Sequence, residues 1–510
     1  MRFDYYNDLM FFNSSPWDRY FPSHADEKTQ YDVIVIGSGT GGGILADATA
    51  AKRLKTLVLE AGPIRHLVNI TDLPLPNVVE AMEPYEQTRG TDLRGGVCFN
   101  LGGRSVFWSA VIPQMKHWEL AHWPTSIADY LVNGGYDEAE RLFRKRVNYP
   151  PFQLELQAKI QDRFKSYEVS QLPRSYHQPD SVRNPRPGSP DERTTGVFST
   201  AALLSDALMN ARRAGSDYLH VGVQHLVDRV VLDQATGDGL NKATAVEALD
   251  LRTGLRRRFE GHYIVLAGGA TESPRLALTS GVYDPSHKMG RGLADHPEAE
   301  VHFEIPQDCA FFDRNSQGNL FLRPINIEDG ADGFSCELAL NWKFWDVRIE
   351  DDYWWRRNFG KKGPIQSTIK FLFRSPLKDE NRIYIRGSKY YVHLEPMCTP
   401  SARLHEQVLN LSRDLLALFD VQDPPQVEYH PFSVTYHLGG SMRMSEKESD
   451  GVVDTNLRLH RYENLYCCDL SVFPDIPASN PSLTLGALAR RLADELARKK
   501  RESQKGRAAD

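Results

Sequence analysis

Cysteine is scarce in this chain. Six occur in 510 residues, Cys98, Cys309, Cys336, Cys398, Cys467 and Cys468, and no two form a C-x-x-C pair. That spacing gives no sign of a metal site. Cys467 and Cys468 are adjacent, and neighbours in a strand point to opposite faces. Packing is expected of them rather than a disulfide, and the pattern fits a reducing compartment. Long hydrophobic runs are also missing: none approaches the ~20 residues that span a bilayer. The N-terminal stretch carries Asp4, Asp8 and Asp18 and lacks the unbroken apolar core of a secretory signal. A cytoplasmic protein with no membrane partner is expected. A strong charge of one sign is absent too. The net charge of −6 gives no footing for nucleic acid. No internal repeat of fixed period is evident. What is present, 41% apolar residues over this length, allows a large core divided among two or three compact units.

The stretch "YDVIVIGSGTGGGILADATAAKRLKTLVLEAG" carries the first motif. The apolar run ending at Ile36 suits a strand buried on both faces of a parallel sheet. Gly37-Ser38-Gly39-Thr40-Gly41-Gly42 follows at once and fits G-x-G-x-x-G. Ile44–Arg53 reads as a helix and Lys55–Leu59 as a second strand ending at Glu60. Gly37 permits the tight turn, Gly39 lets the backbone approach a pyrophosphate, and Gly42 lets the helix pack closely on the strand. The helix N-terminus offers free N–H groups to phosphates. Glu60 sits where a carboxylate accepts from both ribose hydroxyls, and it would repel a 2′-phosphate, which argues against NADP. FAD and NAD both fit. One complete fingerprint is visible, whereas an enzyme passing hydride from nicotinamide to flavin through two such domains would want a second.

Further along, Tyr263–Ala267 reads as another buried strand, leading into a helix with Pro274 in its first turn. "VGVQHLVDRVVLD" alternates like a strand and carries Val227. The α/β sheet begun at residue 31 is therefore resumed after residue 200. Between the two parts lies "LPRSYHQPDSVRNPRPGSPDERTTG", an irregular stretch read as a lid or a surface excursion. From 298 to 430 short strands dominate, which indicates an antiparallel sheet. Near the C-terminus, "DIPASNPSLTLGALARRLADELARK" reads as a helix capped by Asn480, with Pro481 in its first turn and Leu483, Leu485, Leu488 and Leu492 on its apolar face. The expected division is an N-terminal arm (1–30), a discontinuous cofactor domain (31–120, 196–297 and 431–498), an insertion (121–195), a substrate domain (298–430) and a charged tail (499–510).

Six blocks in order resemble the glucose-methanol-choline (GMC) flavoprotein oxidoreductases: the fingerprint at Gly37, "NLGGRSVFW" at Asn100, "AGGATESPRLALTSGV" at Ala267, "MGRGLADHP" at Met289, "YHLGGSMRM" at Tyr436 and "LYCCDLSVFPDIPASNPSLTLGALA" at Leu465. The resemblance runs from residue 31 to about 498. It implies FAD as the cofactor. It also implies a fold of class α/β + α+β: a discontinuous Rossmann-like FAD-binding domain with a substrate domain based on an antiparallel β-sheet. In this family a histidine and a second His or Asn face the flavin across the substrate alcohol. His437 matches the first position and Asn480 the second. A neutral imidazole suits the removal of a hydroxyl proton, and an amide can orient that hydroxyl without changing charge. The "HLGG" glycines are read as letting backbone approach a ligand. The resemblance further places Asn100, Gly102, Gly103 and Ser105 against the pyrophosphate and flavin, Val227 by the adenine, Asp469 near the ribityl chain and Pro481 in the helix beside the flavin. Asp295-His296 match a "DH" pair of structural role. Two departures are Leu470, where the family has Gly, and Gly440-Ser441, where it has Gly-Thr.

Within the family, "NLGGRSVFWSAVIP" is most similar to the pyranose-oxidase and sugar-oxidoreductase branch. In pyranose oxidases a histidine two residues after the serine carries the flavin covalently. Phe107 stands there, so FAD is expected without a covalent bond, with Ser109 placed to hydrogen-bond near the flavin. Trp342, Phe344, Trp345, Tyr353, Trp354 and Trp355 are read as core, interface or a platform for a sugar ring. The resemblance implies oxidation of a secondary ring hydroxyl of a sugar or glycoside to a ketone. The alternatives are a non-sugar alcohol or a flavin-retaining lyase. The electron acceptor, oxygen or another, stays open, and no metal is expected.

Overall fold

The computed structural model describes residues 25–65, 82–93, 95–145, 149–175, 197–233, 235, 239–313, 316, 318–327, 333–341, 365–387, 389–396, 400–430 and 435–507. Three readings from the sequence fall largely or wholly outside them: the N-terminal arm up to residue 24, the irregular stretch at 176–196, and the aromatic cluster from Trp342 to Trp355.

Strand β1 (Tyr31–Ile36) lies at the centre of the first sheet. It pairs in parallel with β2 (Thr56–Glu60) on one side and with β9 (Arg256–Leu266) on the other. Beyond β2 lies β6 (Leu219–Val223), and beyond β9 lies β17 (Leu465–Cys467), both again parallel. The sheet is thus assembled from separated stretches of chain, as its apolar, non-alternating strands require: β2 is buried at every position. Helix α1 (Thr40–Ala51) packs on β1 and β2 and is itself covered by α3 (Thr200–Arg213) and the C-terminal helix α6 (Ser482–Arg507). On α6 the leucines at 483, 485, 488 and 492 are all buried, as their spacing indicates. Cys467 and Cys468 are fully buried free thiols of this core.

The long strand β9 joins the parallel and antiparallel parts of the first sheet. Its second half joins β1 and β17, while its first half pairs antiparallel with β8 (Lys242–Asp250), which pairs with β7 (His225–Asp233). The stretch read as one alternating strand through Val227 is therefore two strands. Gln224, at φ 59°, turns the chain between them. A second correction concerns Pro274. It stands inside helix α4 (Gly269–Thr279), not in its first turn. Proline has no N–H to give the carbonyl four residues back. Ser441 Oγ donates to that carbonyl, Ala270 O, at 2.6 Å, which gives the proline a tolerable place.

The second sheet is antiparallel, in the order β16-β10-β13-β12-β11-β5, comprising β16 (Glu428–His430), β10 (Glu298–Ile305), β13 (Ile365–Phe373), β12 (Phe334–Leu340), β11 (Gly318–Pro324) and β5 (Tyr167–Gln171). Its edge strand β5 comes from the stretch read as an insertion. "YEVSQ" is short and polar and buries only Val169 among its five residues, so its strand character depends on the β11 ladder. One face of the sheet is apolar. Val301, Leu338, Ile369 and Phe371 pack there with helices α2 (Pro151–Arg163) and α5 (Ala402–Leu418). Helix α5 presents Leu404, Val408, Leu411 and Leu415 to it, and Ser401 caps its start by accepting from Leu404 N. The other face is polar and turns toward the first sheet. A two-stranded hairpin, β14 (Arg382–Arg386) and β15 (Lys389–His393), stands apart from this sheet and packs with Tyr85, Leu293 and Leu438. The two-residue strands β3 (Glu83–Pro84) and β4 (Gly96–Val97) pair beside it. Among the described residues no helix is long and apolar enough to cross a membrane.

Candidate active site

A cavity of about 450 Å³ opens where the carboxyl ends of β1, β2 and β9 meet the polar face of the second sheet. This is where a parallel α/β sheet holds its ligands. At one end, Gly37 makes the turn out of β1 with φ 103°, and a Cβ there would meet Ala267 O at 2.4 Å. Nothing lies within 4 Å of a Cβ built on Gly39, so its side faces open space in the cavity wall. Gly42 sits behind that wall, where a Cβ would lie 2.1 Å from Gly37 O and 2.8 Å from Ala267 Cβ. Helix α1 begins here with no side-chain cap, so its first N–H groups face the cavity end unclaimed by a capping group.

Glu60 lines the cavity at the end of β2. Its Oε2 accepts from Ser38 N (3.0 Å) and Ser38 Oγ (2.6 Å), and its Oε1 from Gly62 N (2.8 Å). Burial pushes its carboxyl up, and these hydrogen bonds oppose that. Glu60 therefore braces the glycine turn while presenting its edge to the cavity. Ser38 Oγ also accepts from Gly102 N (2.8 Å), tying the loop at Gly102 to the turn. Gly103, Ser105, Phe107, Ser109 and Val227 reach the cavity. Asn100, Gly102 and Pro481 do not. Asn100 Oδ1 accepts from Arg65 N (2.8 Å), so it holds the loop from behind. Ser105 Oγ donates to Gly102 O (2.6 Å) and Thr200 N donates to Ser105 Oγ (2.9 Å). Asp469 lines the cavity and accepts from Gly269 N (2.9 Å), Ser273 Oγ (2.5 Å) and Ser471 N (2.9 Å). It joins β17 to the start of α4.

At the other end stand His437 and Asn480, brought together from stretches 43 residues apart. His437 is held by its main chain. Its N–H donates to Asp295 Oδ2 (2.9 Å), while Thr435 Oγ1 (2.9 Å) and His296 N (2.8 Å) donate to Asp295 Oδ1. Tyr436, between the clamped residues, sits at φ 60°, and Arg104 pins its carbonyl at 2.8 Å. The rings of His296 and His437 meet edge to face at 4.9 Å. Burial, then the neighbouring His296, Arg104 and Lys370, hold the His437 imidazole well below the usual histidine range, so it is neutral at neutral pH. Its Nδ1 is buried without a hydrogen-bond partner. Asn480 Oδ1 is equally buried and unpartnered. Asn480 does not cap α6 as the sequence suggests: Pro481 O accepts the helix's first bond, from Leu485 N, and the Asn480 amide turns to the Glu337 carboxyl. The "HLGG" glycines also differ from expectation. They approach protein main chain, not the cavity: a Cβ on Gly440 would meet Gly292 O at 2.5 Å and one on Gly439 would meet Leu470 O at 2.7 Å.

Sequence reasoning missed Ser38, Arg104, Thr200, Glu337 and Lys370. Ser38 lay inside the fingerprint as an x position. Glu337 and Lys370 lay in strands whose polar face had no assigned direction.

The arrangement fits a dinucleotide. It offers an open helix N-terminus over a glycine turn, a carboxylate at the end of β2, and buried orphan polar atoms at the far end of one continuous cavity. Comparison with known proteins agrees. The family model "GMC oxidoreductase" matches residues 202–298, and a second of that description matches 420–489. A long-chain-alcohol oxidase of Arabidopsis thaliana is 32% identical over 92% of this chain and 67% of its own length. A C-glycoside 3-oxidase of Arthrobacter globiformis is 23% identical over 78% of this chain and 74% of its own. Among solved structures, a formate oxidase of Aspergillus oryzae RIB40, from work on its FAD modification, superposes with a TM-score of 0.64 at 15% identity, covering 94% of this chain and 100% of that one.

Proposed function

The chain belongs to the GMC oxidoreductase family, and from that premise we propose that it oxidises a secondary ring hydroxyl of a sugar or glycoside to a ketone, in the manner of a pyranose 2- or 3-oxidase or dehydrogenase. The observation that carries this reading is the pair at the cavity end: His437 and Asn480 line it together, each with a buried polar atom left without a partner. The similarity to a C-glycoside 3-oxidase supports the substrate class.

FAD would be held by the glycine turn at Gly37 and Gly39, by the N-terminus of α1, by Glu60 and by the loop carrying Gly103, Ser105 and Ser109. Bound there, it supplies the two-electron acceptor for the carbinol hydride. Phe107 has no nucleophile, so the cofactor is bound without a covalent link. His437 takes the hydroxyl proton, because burial keeps its imidazole free of a proton at neutral pH. Asn480 fixes the hydroxyl through its amide and carries no charge into the site. Asp295 positions the base by gripping the main chain of His437, and Arg104 holds the Tyr436 carbonyl.

The test is anaerobic mixing with a panel of sugars and glycosides while flavin absorbance is followed. Bleaching by a sugar or glycoside supports the reading and excludes a lyase that leaves its flavin oxidised. Bleaching only by alcohols that are not sugars overturns the substrate class.

A further inference from the structure

The polar face of the second sheet carries one row of charges, two of which reach the cavity. Glu300 on β10, Lys370 on β13 and Glu337 on β12 are direct cross-strand neighbours. Glu337 and Lys370 both line the cavity that holds His437 and Asn480. Lys370 Nζ leans to one side, 2.8 Å from Glu300 and 3.2 Å from Glu298. Burial works against its charge, but those two carboxylates hold it as a cation. Glu337 stands on the other side, facing the Asn480 amide, with its carboxyl raised by burial and steadied by Lys370 and Arg174. No ion pair joins Lys370 to Glu337. The two therefore face the cavity as a donor and an acceptor, neither neutralised by the other in direct contact, beside the groups proposed to do the chemistry.

We propose that Glu337 and Lys370 are the specificity-determining pair of this site and that they read a second hydroxyl of a neutral polyol, next to the one that reacts. The inference rests on the sugar reading above and narrows it. A hydroxyl can donate to the Glu337 carboxylate and accept from the Lys370 ammonium at once. An alkyl chain offers a hydrogen bond to neither group and strips water from the cavity side of both, leaving Lys370 with only Glu300 and Glu298, and Glu337 with only the Asn480 amide, a cost that falls on the wrong substrate. The pair thus disfavours long-chain alcohols by the same chemistry that accepts a diol.

The experiment compares the wild type with Glu337→Gln, Glu337→Leu and Lys370→Met by anaerobic flavin reduction. The probes are methyl β-D-glucopyranoside, its 2-, 3-, 4- and 6-deoxy analogues, and 1-decanol. In the wild type, removing the hydroxyl that the pair reads is expected to lower the apparent second-order rate about 10- to 100-fold. In Glu337→Leu and Lys370→Met the parent glycoside falls to the level of that deoxy analogue, and the ratio of 1-decanol to glycoside rises. Glu337→Gln keeps the volume and one acceptor, so it retains part of the discrimination and guards against a folding failure. The inference is overturned if the wild type reduces with the glycoside and every variant keeps the full deoxy penalty; the sugar reading then stands. If the wild type reduces with 1-decanol and with none of the sugars, the sugar reading fails, and this inference fails with it.

Discussion

Replacing Asp295 with asparagine isolates how the proposed base is positioned. Asp295 is fully buried, does not line the cavity, and accepts from Thr435 Oγ1, His296 N and His437 N. Asparagine has one acceptor oxygen. If that oxygen serves Thr435 and His296, the NH2 group is turned against the His437 N–H, donor against donor. The change removes one hydrogen bond to a carboxylate and leaves a buried N–H unpaired, together about 1.5–3 kcal/mol. Tyr436 already sits in the left-handed region, so the released turn has a reason to relax. At ~1.4 kcal/mol per tenfold, flavin reduction is expected to slow by about one to two decades. FAD occupancy, read as the ratio of flavin to protein absorbance, should stay near that of the wild type. The assay is anaerobic stopped-flow reduction of Asp295→Asn, His437→Ala and the double variant. If Asp295 acts through His437, adding His437→Ala to Asp295→Asn costs less than His437→Ala alone. A reduction rate within about twofold of the wild type, with the melting temperature lowered, would refute the positioning argument.

Other outcomes follow from the same geometry. Acid precipitation should release FAD into a yellow supernatant; colour kept in the pellet contradicts the reading of Phe107. Gly42→Ala puts a Cβ 2.1 Å from Gly37 O, with the Ala267 and Val35 side chains at 2.8 and 3.1 Å, and overpacking of that kind costs about 1–3 kcal/mol. Thermal melts and flavin occupancy should both fall, and unchanged values would mean that the close packing of α1 on the sheet is not required. His296 is fully buried and pulled to about 4 by that burial. Between about pH 4 and 6.5 the unfolded chain binds a proton that the native one refuses, so native stability drops as pH falls through that window, by about 3 kcal/mol from this group. The acid side of a melting-temperature profile should accordingly flatten in His296→Gln.

The parts of the fold that were legible in the sequence are those whose signal is local. The unbroken apolar run of β1, the glycine turn, α1 and the carboxylate closing β2 all stand within thirty residues of one another, and the structure keeps them in that relation. The leucine spacing of α6 was legible for the same reason. What was misread depended on partners far away in the chain. Asn480 stands at a helix start with a capping side chain, yet its amide turns to Glu337 on the second sheet. Pro274 looks like a first-turn proline, and its place inside α4 is tolerated because Ser441 serves the carbonyl it frees. "YEVSQ" carries no strand pattern of its own and becomes an edge strand through the β11 ladder. The charged row Glu300–Lys370–Glu337 exists only through the register of three strands, and register is not written in any one of them. Asp295 and His437 were both marked in the sequence, but the hydrogen bond between them was not.

The most direct test of the account is the anaerobic flavin-reduction rate of His437→Ala at neutral pH, with the sugar or glycoside that reduces the wild type fastest. A positioned general base contributes ~100- to 10,000-fold. The expected result is a loss of that size with FAD occupancy retained, and a smaller loss in Asn480→Ala. A His437→Ala enzyme that bleaches its flavin within a few-fold of the wild-type rate would show that His437 is not the base.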